Sequence, residues 1–136
     1  MSTQTGITAN SELAAFFAEA RQEKTKAKYR MIKVLIANEQ LVLDEHRESG
    51  HSWERDWDLM VTKSVESSQP CFILFRTDEM DNAKSYKWLL ISWSPDSASV
   101  RNKMLYASTK ATLKKDFGSG HISDDYYANS VVCTMY

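Results

Sequence analysis

The stretch that most constrains the fold of this chain is residues 97–117, SASVRNKMLYASTKATLKKDF. The spacing of its apolar residues predicts one amphipathic helix of about five turns, because an α-helix advances about 3.6 residues per turn. Pro95 favours an extended approach to this helix, and Gly118 and Gly120 favour its end. A helix of this length, with one face toward a core, would organise the whole domain.

The apolar residues of this predicted helix form two stripes. We predict that a broad stripe faces the core and consists of Leu105, Tyr106, Leu113 and Phe117. On the opposite side runs a narrow ridge of Val100, Met104, Ala107 and Ala111. The ridge is flanked by a basic rim of Arg101, Lys103, Lys110, Lys114 and Lys115. A ridge of this kind has no obvious task in a monomer and favours a docking surface. The alternative is a helix buried on two sides, with Lys and Arg stems covering apolar surface.

Charge is unevenly distributed along the chain. The formal net charge is −1, but residues 97–117 hold five basic residues and one acidic residue, so this stretch carries +4 and the remainder −5. A basic helix on an acidic body suits an acidic protein surface, anionic lipid headgroups or nucleic acid. Base stacking needs exposed aromatic residues near the basic ones, and all four tryptophans lie at predicted core positions. We therefore expect no nucleic-acid partner.

The chain has the length and composition of one ordinary globular domain. Its 136 residues suffice for a substantial core, and 43% hydrophobic with 26% charged residues is typical of soluble proteins. No apolar run approaches the roughly 20 residues of a membrane-spanning helix, and the polar start is no secretory signal. We expect a cytoplasmic protein that does not span a membrane. Cys71 lies in the apolar run CFILF and predicts a buried free thiol.

The remaining pattern predicts alternating helices and strands. Residues 1–9 are polar and predict a flexible arm, and Asn10 would cap a first helix whose core stripe is Leu13, Phe16, Phe17 and Ala20. We predict strands over 29–36, 41–43, 71–75 and 88–93, and a second helix over 52–64. Asn38-Glu39 would form a tight hairpin turn, although the glycine typical of such turns is missing. Residues 46–52 favour a turn, GHIS at 120–123 a short strand, and residues 124–136 a terminal helix. This order predicts a mixed sheet with helices on both faces.

Little in the sequence indicates catalysis. There are only four glycines, and the sequence contains no Gly-rich phosphate loop and no GxSxG or HExxH motif. His46, His51 and His121 are scattered, which favours chance placement over a metal site. Cys71 with a distant histidine could form a nucleophilic pair, but an apolar strand is a poor place for a thiolate. We expect a binding module with no catalytic residues, no cofactor and no metal.

Several stretches together resemble one known family. The run VRNKMLYASTKATLKKDFGSGHI at 100–122 resembles the long helix of the actin-depolymerising-factor homology domain, the fold of cofilin. SWERDWD at 52–58, QPCFILFR at 69–76 and ISWSPD at 91–96 are similar to further parts of that domain, in the same order. The start MSTQTGI resembles the first domain of a two-domain branch of the family. The resemblance implies one such domain over 1–136, of the α+β type. Its central mixed sheet would have five strands, the first four antiparallel, sandwiched by helices.

The resemblance also implies a binding site for actin. In this family the long helix enters a cleft between two subdomains at the barbed-end side of actin. The family's basic pair falls on Arg101 and Lys103, with Met104 as the apolar contact beside them. Further expected contacts, from the family's N-terminal arm and from the ridge, are Gly6, Ile7, Val100, Ala107 and Ser108. The resemblance further implies that three lysines bind either the acidic surface of actin or phosphoinositide headgroups, such as phosphatidylinositol bisphosphate. These are Lys110, Lys114 and Lys115.

The function implied by this resemblance is binding and sequestering of actin monomers, preferably ADP-bound, with a contribution to capping of filament barbed ends. Such a protein would act as a monomer in the cytoplasm, at the actin cytoskeleton. The alternatives are a cofilin-like module that binds and severs filaments and a phosphoinositide-binding regulatory domain. The absence of a KKRKK-like run and the short loop at 77–86 favour monomer binding over severing. The link EKTKAK at 23–28 is longer than the family's usual connection between its first helix and first strand, and the resemblance leads us to expect a longer protein with a second domain.

Overall fold

The computed structural model of the chain describes residues 6–130, in which five strands form a single mixed sheet. The strands are β1 (Tyr29–Ala37), β2 (Gln40–Glu48), β3 (Cys71–Met80), β4 (Tyr86–Trp93) and β5 (Ile122–Ala128). They lie in the order β2-β1-β3-β4-β5. The pairs β1–β2, β1–β3 and β3–β4 are antiparallel, and β5 is parallel to β4. The expected sheet of four antiparallel strands and one parallel strand is confirmed.

Helices cover both faces of this sheet, as predicted. The helices are α1 (Ser11–Ala20), α2 (residues 53–64) and α3 (Val100–Phe117). Within α2, a first α-helical turn, Trp53–Asp56, continues through a π-helical turn, Trp57–Val61, into Thr62–Ser64. Alternate strand residues point to opposite faces, so the sheet separates two apolar clusters. The first contains α1 and α3 residues packed on strand residues such as Ile32 and Leu74, and the second contains α2 residues packed on Met31 and Ile73.

The long helix α3 begins at Val100 rather than at Ser97. Ser99 is its N-cap, because the Ser99 hydroxyl accepts a hydrogen bond from the Asn102 N–H at 3.1 Å. The helix ends at Gly118, whose φ of 111° lies in a region that glycine adopts most readily. Buried on its core face are Tyr106, Thr109, Leu113 and Phe117, while Leu105 is partly buried against the same cluster.

The second half of the N-terminal arm is docked, which corrects the prediction of a flexible arm over residues 1–9. Residues 1–5 lie outside the described part of the chain. Ile7 is only 6% exposed and packs in the core. The Leu41 N–H donates to the Thr8 carbonyl at 2.9 Å, and the Ala9 N–H donates to Asp116 Oδ2 at 3.0 Å. The arm was mispredicted because backbone hydrogen bonds to an edge strand leave no side-chain pattern.

All five strands are longer than the sequence predicts. β2 continues through the predicted turn at 46–52 as far as Glu48, because its antiparallel pairing reaches Tyr29↔Glu48. β3 extends as far as Met80, and β4 already begins at Tyr86. The predicted loop at 77–86 is therefore the end of a projecting β-hairpin. The predicted terminal helix is wrong for residues 124–128, which form most of β5, and its last six residues lie outside the described part. Pairing with β4, a contact distant in sequence, overrides the local preference there.

A buried polar network joins α2 to the ends of β1 and β3. Arg30 and Arg76 are each 2% exposed, and Asp56 is fully buried. Arg30 Nε lies 2.9 Å from Asp56 Oδ2, and Arg30 Nη1 lies 3.0 Å from Asp78 Oδ1. Burial alone would raise the pKa of Asp56, but hydrogen bonds from the Gly50 backbone, Arg30 and the His51 backbone outweigh it and lower that pKa. The network is a paired internal set of charges, in contrast to Arg101, Lys103 and Lys115 on α3, which form no salt bridge within residues 6–130.

Candidate functional site

The ridge on α3 is exposed in the folded domain. Val100 is 69% and Met104 67% exposed, and Ala107 and Ala111 are exposed beside them. These values confirm the two stripes predicted for the helix and contradict the alternative of a helix buried on two sides. Large apolar side chains are costly to leave in water, so a row of them on one helix favours contact with a partner.

A groove of about 890 Å³ opens beside the ridge, between α3, the arm and the turn that joins β1 to β2. It brings together six of the predicted contact residues: Gly6, Ile7, Val100, Arg101, Met104 and Ser108. Lys103 and Ala107 lie on α3 but do not line the groove. The side chain of Ile7 is only 6% exposed and packs in the domain's own core, so little of it remains for a partner to bury.

The walls of the groove are fixed to one another by hydrogen bonds. The buried Tyr106 hydroxyl of α3 accepts from the Ile36 N–H at 2.9 Å and lies 3.3 Å from Gln69 Nε2. Burial raises the pKa of Tyr106, so its phenol stays protonated at neutral pH. At the other end of α3, Asp116 accepts the Ala9 N–H. The helix, the arm and the end of β1 therefore form one rigid surface.

The basic rim divides into two parts. Lys110 Nζ and Lys114 Nζ lie 3.2 Å and 3.3 Å from Asp125 Oδ2 on β5, so one carboxylate partly neutralises both ammonium groups. The other three rim residues, Arg101, Lys103 and Lys115, form no salt bridge within residues 6–130. Sequence reasoning missed Asp125 because it placed that residue in a helix rather than on the strand beside α3.

Outside this surface, the predicted cysteine environment is confirmed. Cys71 is 1% exposed, and burial raises the pKa of its thiol to about 12, so it is not a nucleophile at neutral pH. Over residues 6–130, no group of three or more His, Cys, Asp or Glu side chains is placed to hold a metal ion. None of the helices in this part of the chain combines the length and apolar character needed to cross a membrane.

A second, more apolar groove of about 920 Å³ lies on the α2 face. Its apolar lining is Trp53, Trp57, Leu89, Ile91, Tyr126 and Ala128. The expectation that all tryptophans occupy the core holds for Trp88 and Trp93, whereas Trp53 and Trp57 are only partly buried. No member of the basic rim lines this groove, so it is separate from the α3 surface.

The fold and the exposed basic helix define a class of actin-binding domain. Residues 6–131 match the sequence profile of the cofilin/tropomyosin-type actin-binding proteins, and the chain belongs to this family. The sequence resemblance to the actin-depolymerising-factor homology domain is thereby confirmed.

Individual relatives place the resemblance among the twinfilins. The chain is 52% identical to a twinfilin of Anopheles gambiae over 130 residues and 48% identical to a twinfilin of Drosophila melanogaster over 136 residues. These matches cover 96% and 99% of this chain but only 36% and 38% of the relatives, so the chain spans little more than a third of their length. A solved structure of Eh twinfilin superposes with a TM-score of 0.81 at 30% identity, covering 91% of this chain and 88% of that one.

Proposed function

We propose that this domain binds actin monomers through the α3 ridge and the adjoining groove, and so keeps them out of filaments. The observation that carries the proposal is the exposure of Val100 and Met104 beside two basic residues, Arg101 and Lys103, that form no salt bridge within residues 6–130. An exposed apolar ridge supplies binding free energy, and a basic rim suits an acidic partner surface. The domain's membership of an actin-binding family identifies that partner class.

Each part of the surface has a distinct physical role in this proposal. Complete burial of Val100 or Met104 by the partner would contribute about 1.5–3 kcal/mol each. Arg101 and Lys103 would raise the rate of encounter and fix the register more than they raise affinity. A helix wedged into a cleft of the monomer would occlude the surface that joins the filament end. We extend the proposal to preference for ADP-bound monomers and to a contribution to barbed-end capping.

Filament binding and severing is the second candidate, favoured by one observation. The β3–β4 hairpin projects further than the sequence predicted, with Met80 43% exposed near its tip. The tip residues Asp81 and Lys84, however, form no basic run that would match an acidic filament surface. Co-sedimentation with filaments separates the two candidates: a monomer-binding domain stays in the supernatant and raises the unpolymerised actin, whereas a filament-binding domain pellets.

Two further parts of the proposal concern the setting of the domain. Lys115 and the Lys110–Lys114 pair would bind phosphoinositide headgroups in competition with actin. The domain would act in the cytoplasm at the actin cytoskeleton, as the first actin-binding domain of a longer, two-domain protein without enzymatic activity. The similarity to the twinfilins supports this arrangement, since they are far longer than the matched region.

The test of the main proposal is a titration of the 136-residue domain into fluorescently labelled ADP-actin and ATP-actin monomers. We expect saturable binding, tighter for ADP-actin, and at least about a tenfold loss of affinity in the Arg101→Ala/Lys103→Ala double variant. The matched control is Lys24→Ala/Lys63→Ala, which removes the same charge from exposed positions away from α3. Equal losses in both variants would assign the effect to net charge. A lower melting temperature of the Arg101/Lys103 variant would assign it to folding.

A further inference from the structure

We propose that Glu39, in the turn between β1 and β2, is a further contact for actin and pairs with a basic group on it. The inference rests on the proposed function and adds a specificity determinant to it. Glu39 and Asn38 line the same groove as Arg101 and Met104, on the opposite wall from the helix. None of the sequence patterns pointed to this turn as part of the site.

The backbone of the turn is unfavourable for the residue it carries. Asn38 and Glu39 have φ values of 53° and 62°, the left-handed region expected for a two-residue type I′ hairpin turn. Asparagine tolerates this region, and glycine is strongly preferred at the second position, because a Cβ atom is strained there. Glutamate therefore occupies a position that glycine would fill at lower energy. Strained positions cluster at functional sites, so the observed strain motivates a role for the side chain.

The turn is held at a fixed position relative to α3. Ala37 and Gln40 pair directly on either side of it. One residue further on, the Ile36 N–H donates to the Tyr106 hydroxyl, and the Leu41 N–H donates to the Thr8 carbonyl. The backbone of such a turn is already ordered, so a partner that binds its side chain needs to order little further backbone.

The charged residues that line the groove, Glu39 and Arg101, indicate which charges a bound partner should present to it. Glu39 is exposed, and within the described chain neither Glu39 nor Arg101 forms a salt bridge. The groove thus offers a carboxylate on one wall and a guanidinium on the other. A uniformly anionic surface would be repelled by Glu39, whereas a protein surface with a basic group opposite Glu39 and an acidic group opposite Arg101 complements both.

The experiment compares two variants that separate charge from turn geometry. Glu39→Gln keeps a side chain of the same shape, and Glu39→Gly produces the favoured Asn-Gly turn. We expect both variants to bind labelled actin monomers about fivefold more weakly than the wild type at low salt, with the difference shrinking as ionic strength rises. We also expect Glu39→Gly to melt at or above the wild-type temperature.

Lys84→Gly is the matched control, because Lys84 is exposed and has a φ of 63° in a different turn. It relieves similar strain, and we expect it to leave actin affinity unchanged. Wild-type affinity in both Glu39 variants, or tighter binding by Glu39→Gln, overturns the inference while the proposed function stands. Weaker binding by the glycine variant alone also overturns it, since turn geometry would then be the cause. A wild-type domain that binds no monomer overturns both.

Discussion

Arginine occupies two opposite settings in this domain. Arg30 and Arg76 are each 2% exposed and are bonded to carboxylates and carbonyl oxygens of the domain itself. Arg101 stands on the exposed surface of α3 beside Met104 and forms no salt bridge within residues 6–130. Position, not residue type, decides what a charge contributes to this domain. Internally paired charges stabilise the fold, whereas unpaired ones next to exposed apolar side chains are available to a partner.

The largest effect we predict is a loss of stability when the buried pair of Arg30 and Asp56 is broken. Asp56→Ala leaves the guanidinium of Arg30 without its buried carboxylate, and breaking a buried pair in this way costs about 3–5 kcal/mol. We expect the free energy of unfolding in urea to fall by that amount. Actin binding by the molecules that remain folded should not change, because α2, which carries Asp56, packs on the opposite face of the sheet from α3.

The control for this variant is Asp58→Ala, which removes an exposed carboxylate from the same helix. Surface substitutions of this kind usually change stability by less than about 0.5 kcal/mol. Equal stability of the two variants would show that the buried carboxylate of Asp56 matters no more for the fold than an exposed one.

The two faces of α3 provide the next test, because the same kind of truncation should act on different properties. Leu113 is fully buried and Met104 is 67% exposed. Leu113→Ala should lower the free energy of unfolding by about 2–5 kcal/mol, the usual cost of a cavity in a core. Met104→Ala should leave unfolding nearly unchanged and weaken binding of actin monomers by about tenfold. Urea unfolding and monomer titration of both variants measure the two effects, and a stability loss in Met104→Ala would contradict the assignment of the ridge.

The contribution of the buried carboxylate of Asp56 should also appear in how the melting temperature depends on pH. The folded-state pKa of Asp56 is lowered from the ordinary value of 3.8, so its contribution to stability is present above that value and is lost as pH falls through the folded-state pKa. The wild-type melting temperature should therefore fall as the pH decreases below about 3.8. Asp56→Asn should be less stable at neutral pH and show a shallower fall. Parallel curves for the two proteins would show that other carboxylates govern acid unfolding.

Sequence reasoning succeeded where the signal is local and periodic. The two stripes of α3 follow from a spacing of about 3.6 residues, and the cap at Asn10 and the turn at Asn38-Glu39 follow from neighbouring residue types. A short connection predicted the hairpin of β1 and β2 from the sequence, but the complete arrangement of the sheet came from the family resemblance, because periodicity carries no information on strand partners. The expected actin contacts Arg101 and Lys103 came from the same resemblance and remain proposals.

What the sequence did not indicate depends on contacts between distant residues. The docking of Thr8 and Ala9 uses backbone groups, and the strand at 124–128 forms because β4 offers it a parallel partner. Asp125 reaches Lys110 and Lys114 only because this strand lies beside α3. Two positive charges that look available in the sequence are therefore partly neutralised in the fold.

The smallest effect we predict concerns that neutralisation. Asp125→Asn removes the carboxylate shared by Lys110 and Lys114, whose side chains are 37% and 34% exposed. Pairs this exposed contribute only about 0–1 kcal/mol, so stability should hardly change. Binding to vesicles containing phosphatidylinositol bisphosphate should strengthen by about two- to fivefold at low salt, because two ammonium groups lose their internal partner. The control is Asp124→Asn, which removes the same charge from the neighbouring position without freeing either lysine. Equal gains in the two variants would show that net charge alone matters. A gain confined to Asp125→Asn would show that β5 sets how much of the basic rim is available to an anionic partner.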